Sequence, residues 1–263
     1  MAHRVQDKVI IVTGAAQGIG FGIAEMLAQE GARVVIADKQ AEKGEAAAAK
    51  ICAAGHTAIF QYADVTREAD CAALVQIAVQ RFGKLDGLVN NAGWFPRATL
   101  EETSTELWEA IMNVNVRSAF YCCKYAIPAM QHAGGGSIVN IGSIHGLQAS
   151  ANLVAYGAAK GALLNLTRTL AGAYGADRIR CNYLIPGWVL SEGEIALAES
   201  RGGDVNELRA QGAQLLFGRH QTPQDAAYAV VYLISDESSQ VTGSIFHIDA
   251  GMSSLIFKAR HVA

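Results

Sequence analysis

Seven short runs rich in β-branched and aliphatic residues alternate with longer helix-like stretches, and that alternation limits what the chain can fold into more than any other feature. The runs lie at 9–12, 33–36, 57–60, 87–89, 137–141, 179–184 and 244–248. Most are apolar at consecutive positions rather than at every second one, the pattern of strands covered by helices on both faces of a parallel sheet. Helical patterns fill the intervals near 18–30, 41–54, 67–82, 105–131, 154–174 and 223–235, each long enough for a right-handed crossover. The order predicts an α/β fold: a doubly wound sheet of seven parallel strands flanked by helices on both faces.

The interval 191–221 breaks the rhythm. It is polar, carries Gly202-Gly203 and holds a helix-like piece over 204–216. Ligands of open α/β sheets bind beyond the carboxyl ends of the strands, so a segment inserted after the sixth strand is expected to act as a substrate lid. With four prolines and no Ser/Gly/Pro-rich linker, residues 1–263 read as a single domain carrying that lid.

Composition narrows the partners. At 51% hydrophobic and 17% charged residues the chain can bury a sizeable core. A net charge of −3 with no Lys/Arg-dense stretch gives no footprint for nucleic acid or an anionic membrane, which leaves a small-molecule substrate. Residues 1–8 lack the sections of a signal peptide, and no apolar run approaches the roughly 20 residues that span a bilayer, so a cytoplasmic protein is expected. The five cysteines, an odd number without Cys-x-x-Cys spacing, read as buried small hydrophobes in a reducing compartment. The seven histidines show no metal-ligand spacing, so no metal is expected.

Directly after the first run comes Thr13-Gly14-Ala15-Ala16-Gln17-Gly18-Ile19-Gly20, then an amphipathic helix. Glycines let backbone N–H groups approach a pyrophosphate, and a helix N-terminus adds partial positive charge. Gly14, Gln17, Gly18, Ile19 and Gly20 are therefore candidate dinucleotide contacts in a Rossmann-type cleft. The second run ends at Asp38, placed to accept hydrogen bonds from the adenosine ribose and to repel a 2′-phosphate, so NAD is expected over NADP, although Lys39 follows directly. Asp64 and Val65, beyond the third run, would border the adenine, and Asn91, Ala92 and Gly93, beyond the fourth, suit close backbone approach.

Ser143 follows the fifth run, and Tyr156 and Lys160 stand four apart on one helix face. Alcohol oxidation needs a base near neutral pH, and a neighbouring ammonium favours the phenolate of a tyrosine that ordinarily ionises near 10. Together with Asn90-Asn91-Ala92-Gly93, Asn113-Val114-Asn115, Tyr156-Gly157-Ala158-Ala159-Lys160 and Pro186-Gly187, these motifs resemble the short-chain dehydrogenase/reductase family over about residues 6–252. The resemblance implies an NAD-preferring enzyme with a catalytic tetrad of Asn115, Ser143, Tyr156 and Lys160. It implies further nicotinamide contacts from Tyr156, Lys160, Pro186, Gly187, Val189 and Ser191, where the family usually has threonine in place of Ser191. Two further departures are Gly157 beside the tyrosine, expected to loosen the helix, and Asp249-Ala250-Gly251 in place of Asp-Gly-Gly.

Position nominates Trp94, Phe95, His145, Gln148, Trp188 and Glu192 as substrate contacts, a mixture of aromatic faces and polar groups that suggests a sugar or polyol. A 3-oxoacyl or steroid-type ketoreductase is the nearest alternative. A non-catalytic NAD(H)-binding sensor is the alternative of another class, and an intact Ser143, Tyr156 and Lys160 speak against it. Surplus apolar positions on the helices near 105–131 and 154–174, such as Ala119, Phe120, Leu163, Leu166 and Leu170, suggest a helix-packed homodimer, and the resemblance implies a homotetramer.

Overall fold

The computed structural model describes residues 3–254. Seven strands, β1 (Val9–Thr13), β2 (Arg33–Asp38), β3 (Thr57–Tyr62), β4 (Gly87–Asn90), β5 (Gly136–Ile141), β6 (Ile179–Pro186) and β7 (Ile245–Ile248), form one sheet. Every pairing is parallel, in the order β3-β2-β1-β4-β5-β6-β7. Nine α-helices connect them among the described residues: α1 (Gly18–Gln29), α2 (Ala41–Ala53), α3 (Glu68–Phe82), α4 (Thr105–Met112), α5 (Ser118–Ala133), α6 (Val154–Tyr174), α7 (Glu192–Glu199), α8 (Val205–Gln211) and α9 (Pro223–Ile234). This is the single-domain, Rossmann-type doubly wound sheet that the alternation predicts.

The consecutive apolar residues of each strand part to opposite faces. In β1, Ile10 and Val12 pack with Ile23 and Leu27 of α1, Ile51 of α2 and Val230 of α9. Val9 and Ile11 pack with Leu74 of α3 and with Cys122 and Met130 of α5. Each face is thereby covered, and full burial of each such side chain contributes about 1.5–3 kcal/mol. Local chemistry sets the boundaries. Ser104 caps α4 by accepting the Leu107 N–H, and α9 opens on a Thr222/Asp225 capping box with Pro223 in the first turn. Gly83 and Gly134 close α3 and α5 in the left-handed region.

Two expectations are corrected. The stretch near 105–131 is not one α-helix, because a π-helical turn, Asn113–Arg117, interrupts it between α4 and α5. The helix expected over 204–216 is the shorter α8, and α7 precedes it where no helix was expected. Among the cysteines, Cys52 is exposed, and Cys71, Cys122, Cys123 and Cys181 are buried. No helix among the described residues is long and apolar enough to cross a membrane.

Candidate active site

The strand order reverses between β1 and β4, so their carboxyl ends open a crevice. Thr13 closes β1, and its hydroxyl accepts the N–H groups of Asn91 (3.0 Å) and Ala92 (3.1 Å) beyond β4. The Asn91 amide donates in turn to the carbonyls of Thr13 (2.9 Å) and Gly14 (3.0 Å). These four bonds lock the glycine loop to the fourth strand. Gly20 is required by contact: a Cβ there would lie 2.2 Å from the Gly14 oxygen. No side chain caps α1 at Gln17, so its first N–H groups stay available to an anion.

The crevice holds a cavity of about 490 Å³ lined by Gly14, Gln17, Gly18, Ile19, Gly20, Asp38, Asp64, Val65, Asn91, Ala92, Gly93 and Ser191, together with Lys39 and Trp94. Every glycine-loop, ribose and adenine candidate from the sequence is thus brought to one wall. The Asp38 carboxylate accepts the N–H groups of Ala16 (3.1 Å) and Gln40 (3.0 Å), which fixes it at the tip of β2. Lys43 donates to the Gln17 side chain at 2.8 Å. For Asp64, burial raises the carboxyl pKa, but the hydrogen bonds from Thr66 outweigh that, and the net shift is downward.

An adjoining cavity of about 410 Å³ shares Ile19, Asn91, Gly93 and Ser191 with the first and is lined further by Ser143, Tyr156, Lys160, Pro186, Gly187 and Val189. Ser143 leaves β5 in an extended conformation and accepts the His145 N–H at 3.2 Å, which starts a short 3-10 turn at Ile144–Gly146. Tyr156 and Lys160 come from one face of α6, with the Lys160 Nζ 5.6 Å from the centre of the Tyr156 ring. Gly157 does not interrupt α6, whose hydrogen bonding continues through its N–H to the Leu153 carbonyl at 2.8 Å. What Gly157 provides is proximity, since a Cβ there would stand 3.2 Å from the His145 oxygen.

Burial governs the protonation of the pair. It pushes the Tyr156 hydroxyl up to about 12, with the Ser143 hydrogen bond acting in the opposite sense and the Glu194 charge adding to the rise. It pulls the Lys160 ammonium down to about 8, while Nζ donates to the Ile141 carbonyl at 2.8 Å. His145 is lowered as well, by burial and then by the charge of Arg97.

Asn115 lies behind both cavities on the π-helical turn and is 2% exposed. Its amide donates to the carbonyls of Trp94 (2.7 Å) and Ile111 (3.0 Å), and its oxygen accepts the Trp94 N–H at 3.3 Å. Both donors are therefore spent on positioning the chain that follows β4.

The substrate candidates divide. Phe95, His145 and Trp188 line the chemical cavity, whereas Trp94 lines the glycine-loop cavity. Gln148 is exposed and donates to the Ser253 carbonyl, and Glu192 comes close to Gly18 instead. In its place Glu194 enters the chemical cavity, where it accepts the Trp188 indole N–H at 3.0 Å. Arg97, Leu153 and Met252 complete the wall and were not nominated from the sequence. Residues 192 and 194 face apart on a helix, so choosing between the two glutamates required knowing that α7 begins at Glu192. Arg97 lies two residues beyond Phe95, in the same loop that supplied Trp94. The described residues contain no cluster of His, Cys, Asp and Glu fit for a metal.

A family model described as enoyl-(acyl carrier protein) reductase matches residues 14–253. The 2-(S)-hydroxypropyl-CoM dehydrogenase 3 of Xanthobacter autotrophicus is 38% identical over 97% of this chain and 100% of its own. A cyclopentanol dehydrogenase of Comamonas testosteroni is 37% identical over 94% of this chain and 98% of its own. Among solved structures, a chain described as a short-chain dehydrogenase/reductase from Burkholderia xenovorans superposes with a TM-score of 0.91 at 33% identity, covering 97% of this chain and 99% of that one. The relatives, which are named dehydrogenases of secondary alcohols, make this chain an oxidoreductase. The chain belongs to the short-chain dehydrogenase/reductase family, whose dehydrogenases use nicotinamide cofactors.

Proposed function

We propose that the protein transfers a hydride between NAD(H) and a secondary alcohol or its ketone, with Tyr156 as the general acid/base. What carries this reading is the convergence of Ser143, Tyr156 and Lys160, from two separate elements, on a cavity that adjoins the glycine-loop cleft. The uncapped start of α1 suits the pyrophosphate, and Asp38 suits the adenosine ribose while disfavouring a 2′-phosphate. Bound NAD supplies the hydride acceptor. Ser143 holds the substrate oxygen, Tyr156 takes its proton, and Lys160 offsets the charge that develops on the phenol oxygen. Pro186, Gly187, Val189 and Ser191 line this cavity and would border the nicotinamide, and Asn115 holds Trp94 through both its N–H and its carbonyl.

Phe95, Leu153, Trp188 and Met252 give the chemical cavity an apolar wall suited to a compact carbon skeleton, in keeping with relatives that include a cyclopentanol dehydrogenase and a cis-4-hydroxycyclohexanecarboxylate dehydrogenase. Arg97, His145 and Glu194 supply polar contacts. They favour a ring that carries further hydroxyls, as in a sugar or polyol, or one that carries a carboxylate for Arg97 to pair. The segment 191–221, with α7 and α8, serves as the lid, since Ser191 and Gly193 border one cavity and Glu194 the other. The working form is a homotetramer in the cytoplasm.

The test is NADH formation by the purified protein with cyclic alcohols, hydroxylated cyclic acids, sugars, polyols and steroids, run with NAD and with NADP. Ketone and enoyl thioester reduction are measured in parallel, and Tyr156→Phe is the control. Turnover with NAD on a secondary alcohol, lost by at least a thousandfold in Tyr156→Phe, is expected. NADP preference, turnover confined to the enoyl thioester, or full activity in the variant would each overturn the reading.

A further inference from the structure

Tyr183 lies on β6 with no solvent exposure and lines neither cavity. Its hydroxyl accepts the Ser143 N–H at 3.1 Å and donates to the Lys160 carbonyl at 3.1 Å. One oxygen thereby joins the backbones of two residues that flank the reacting centre, one in the turn after β5 and one on α6, which packs against that turn. The ring occupies a slot kept open by two glycines: a Cβ on Gly142 would lie 2.2 Å from the ring, and one on Gly146 would lie 2.5 Å from the hydroxyl. Both glycines belong to the Ser143 turn, so the turn is shaped around this phenol. Burial also pushes the Tyr183 pKa up, so the group stays a neutral dipole with one donor and one acceptor position, both used.

Fixing Ser143 matters because its hydroxyl must meet the substrate oxygen and the Tyr156 hydroxyl at once. Displacement of about 1 Å in such a group costs on the order of a hundredfold in rate. The Ser143 hydroxyl accepts the His145 N–H of the same turn at 3.2 Å and hydrogen-bonds with the Tyr156 side chain, contacts that depend on where the Ser143 backbone is held. The Tyr183 bond holds that backbone against α6.

We propose that Tyr183 is a positioning residue of the reaction: its hydroxyl clamps the Ser143 turn to the Lys160 turn of α6 and so sets the spacing between Ser143 and Tyr156. The inference rests on the alcohol dehydrogenase reading above. It assigns Tyr183 no contact with substrate or cofactor.

The experiment is Tyr183→Phe, which removes one oxygen and keeps the ring in its slot. NADH affinity, read from its fluorescence, is expected to stay within twofold of wild type, and kcat to fall by tenfold or more. The rise of kcat/KM with pH should also move upward, because a displaced Ser143 no longer lowers the Tyr156 pKa. A second variant, Gly146→Ala, leaves the phenol in place but crowds its hydroxyl. It should show the same kcat loss with NADH binding retained, and the double variant should be no worse than the poorer single one. A purely structural role would lower the melting temperature and leave kcat and the pH profile alone. Wild-type kcat and pH profile in a folded Tyr183→Phe overturn the proposal with the dehydrogenase reading intact. If the wild type turns over no alcohol, that reading fails first and this proposal falls with it.

Discussion

Tyr156 and Lys160 share a buried environment, which pushes the phenol up to about 12 and pulls the ammonium down to about 8. Above pH 8 the pair holds one proton fewer than at neutral pH, and the proton that remains can sit on nitrogen or on oxygen. The state with an ammonium and a phenolate carries the same number of protons as the state with an amine and a phenol, so the step near 8 also creates the base. Because the group that releases this proton has a lowered pKa, the competent form gains population as pH rises. We therefore expect kcat/KM for alcohol oxidation to climb with pH and level off above about 8. Lys160→Met should shift that climb to above pH 10, toward the tyrosine's own ionisation; an unshifted profile in the variant would mean that Lys160 does not set the protonation of the base. The spacing of Tyr156 and Lys160 was legible in the sequence because i, i+4 residues share a helix face. Tyr183 was not, because its partners lie 40 and 23 positions away in sequence and meet it only across the sheet.

The elements that alternate regularly were legible nearly to the residue, as with α6 at Val154–Tyr174 and α2 at Ala41–Ala53. The π-helical turn was not, since its residues, Asn113 to Arg117, carry nothing that separates a π from an α hydrogen-bond pattern. Nor was α7, whose apolar residues form no stripe. The segment 191–221, which contains α7, is anchored at its base by Gln221. Gln221 pairs through its backbone with Trp188 (3.0 Å) and Leu190 (3.0 Å). Its side-chain oxygen accepts the Gly187 N–H at 2.6 Å, and its amide donates to the Ile248 carbonyl. Both ends of the excursion from β6 to α9 thus meet at this glutamine. Gln221→Ala removes the side-chain pair, worth about 2 kcal/mol at roughly 1 kcal/mol per bond. A fall of several degrees in melting temperature follows from that loss. Because Gly187, Val189 and Ser191 adjoin the anchor and line the cavities, KM for NAD should rise severalfold while the Tyr156-dependent pH step stays where it was. Unchanged KM in the destabilised variant would show that the anchor serves stability alone.

At the scale of the whole molecule, the doubly wound sheet followed from strand patterning, because residues alternating between two covered faces must all be apolar. Assembly is less fully written in the chain. Ala119 and Leu163, counted as surplus from the sequence, are buried in the protein's own core, and Leu166 and Leu170 are half-buried. What remains outward is Phe120, 48% exposed on α5. It borders a hollow between α5 and α6 with Ile127, Pro128, Leu166, Leu170 and Tyr174, where Lys124 and Gln131 also line the wall. A large aromatic ring beside a mostly apolar hollow is costly to leave in water, and a two-fold axis through it would set Phe120 of each protomer against the hollow of the other. We propose this face as one of the two-fold contacts of the proposed homotetramer. Phe120→Glu would place two carboxylates in each such contact, one from each side, and desolvating them is far costlier than covering a phenyl ring. Light scattering on the eluting protein should show four chains for the wild type and a smaller species for Phe120→Glu, with the circular dichroism of the folded protomer kept. A wild type that elutes as a monomer at micromolar concentration would rule out the assembly. A variant that remains tetrameric would move the contact to another face, leaving the exposure of Phe120 without a partner to explain it.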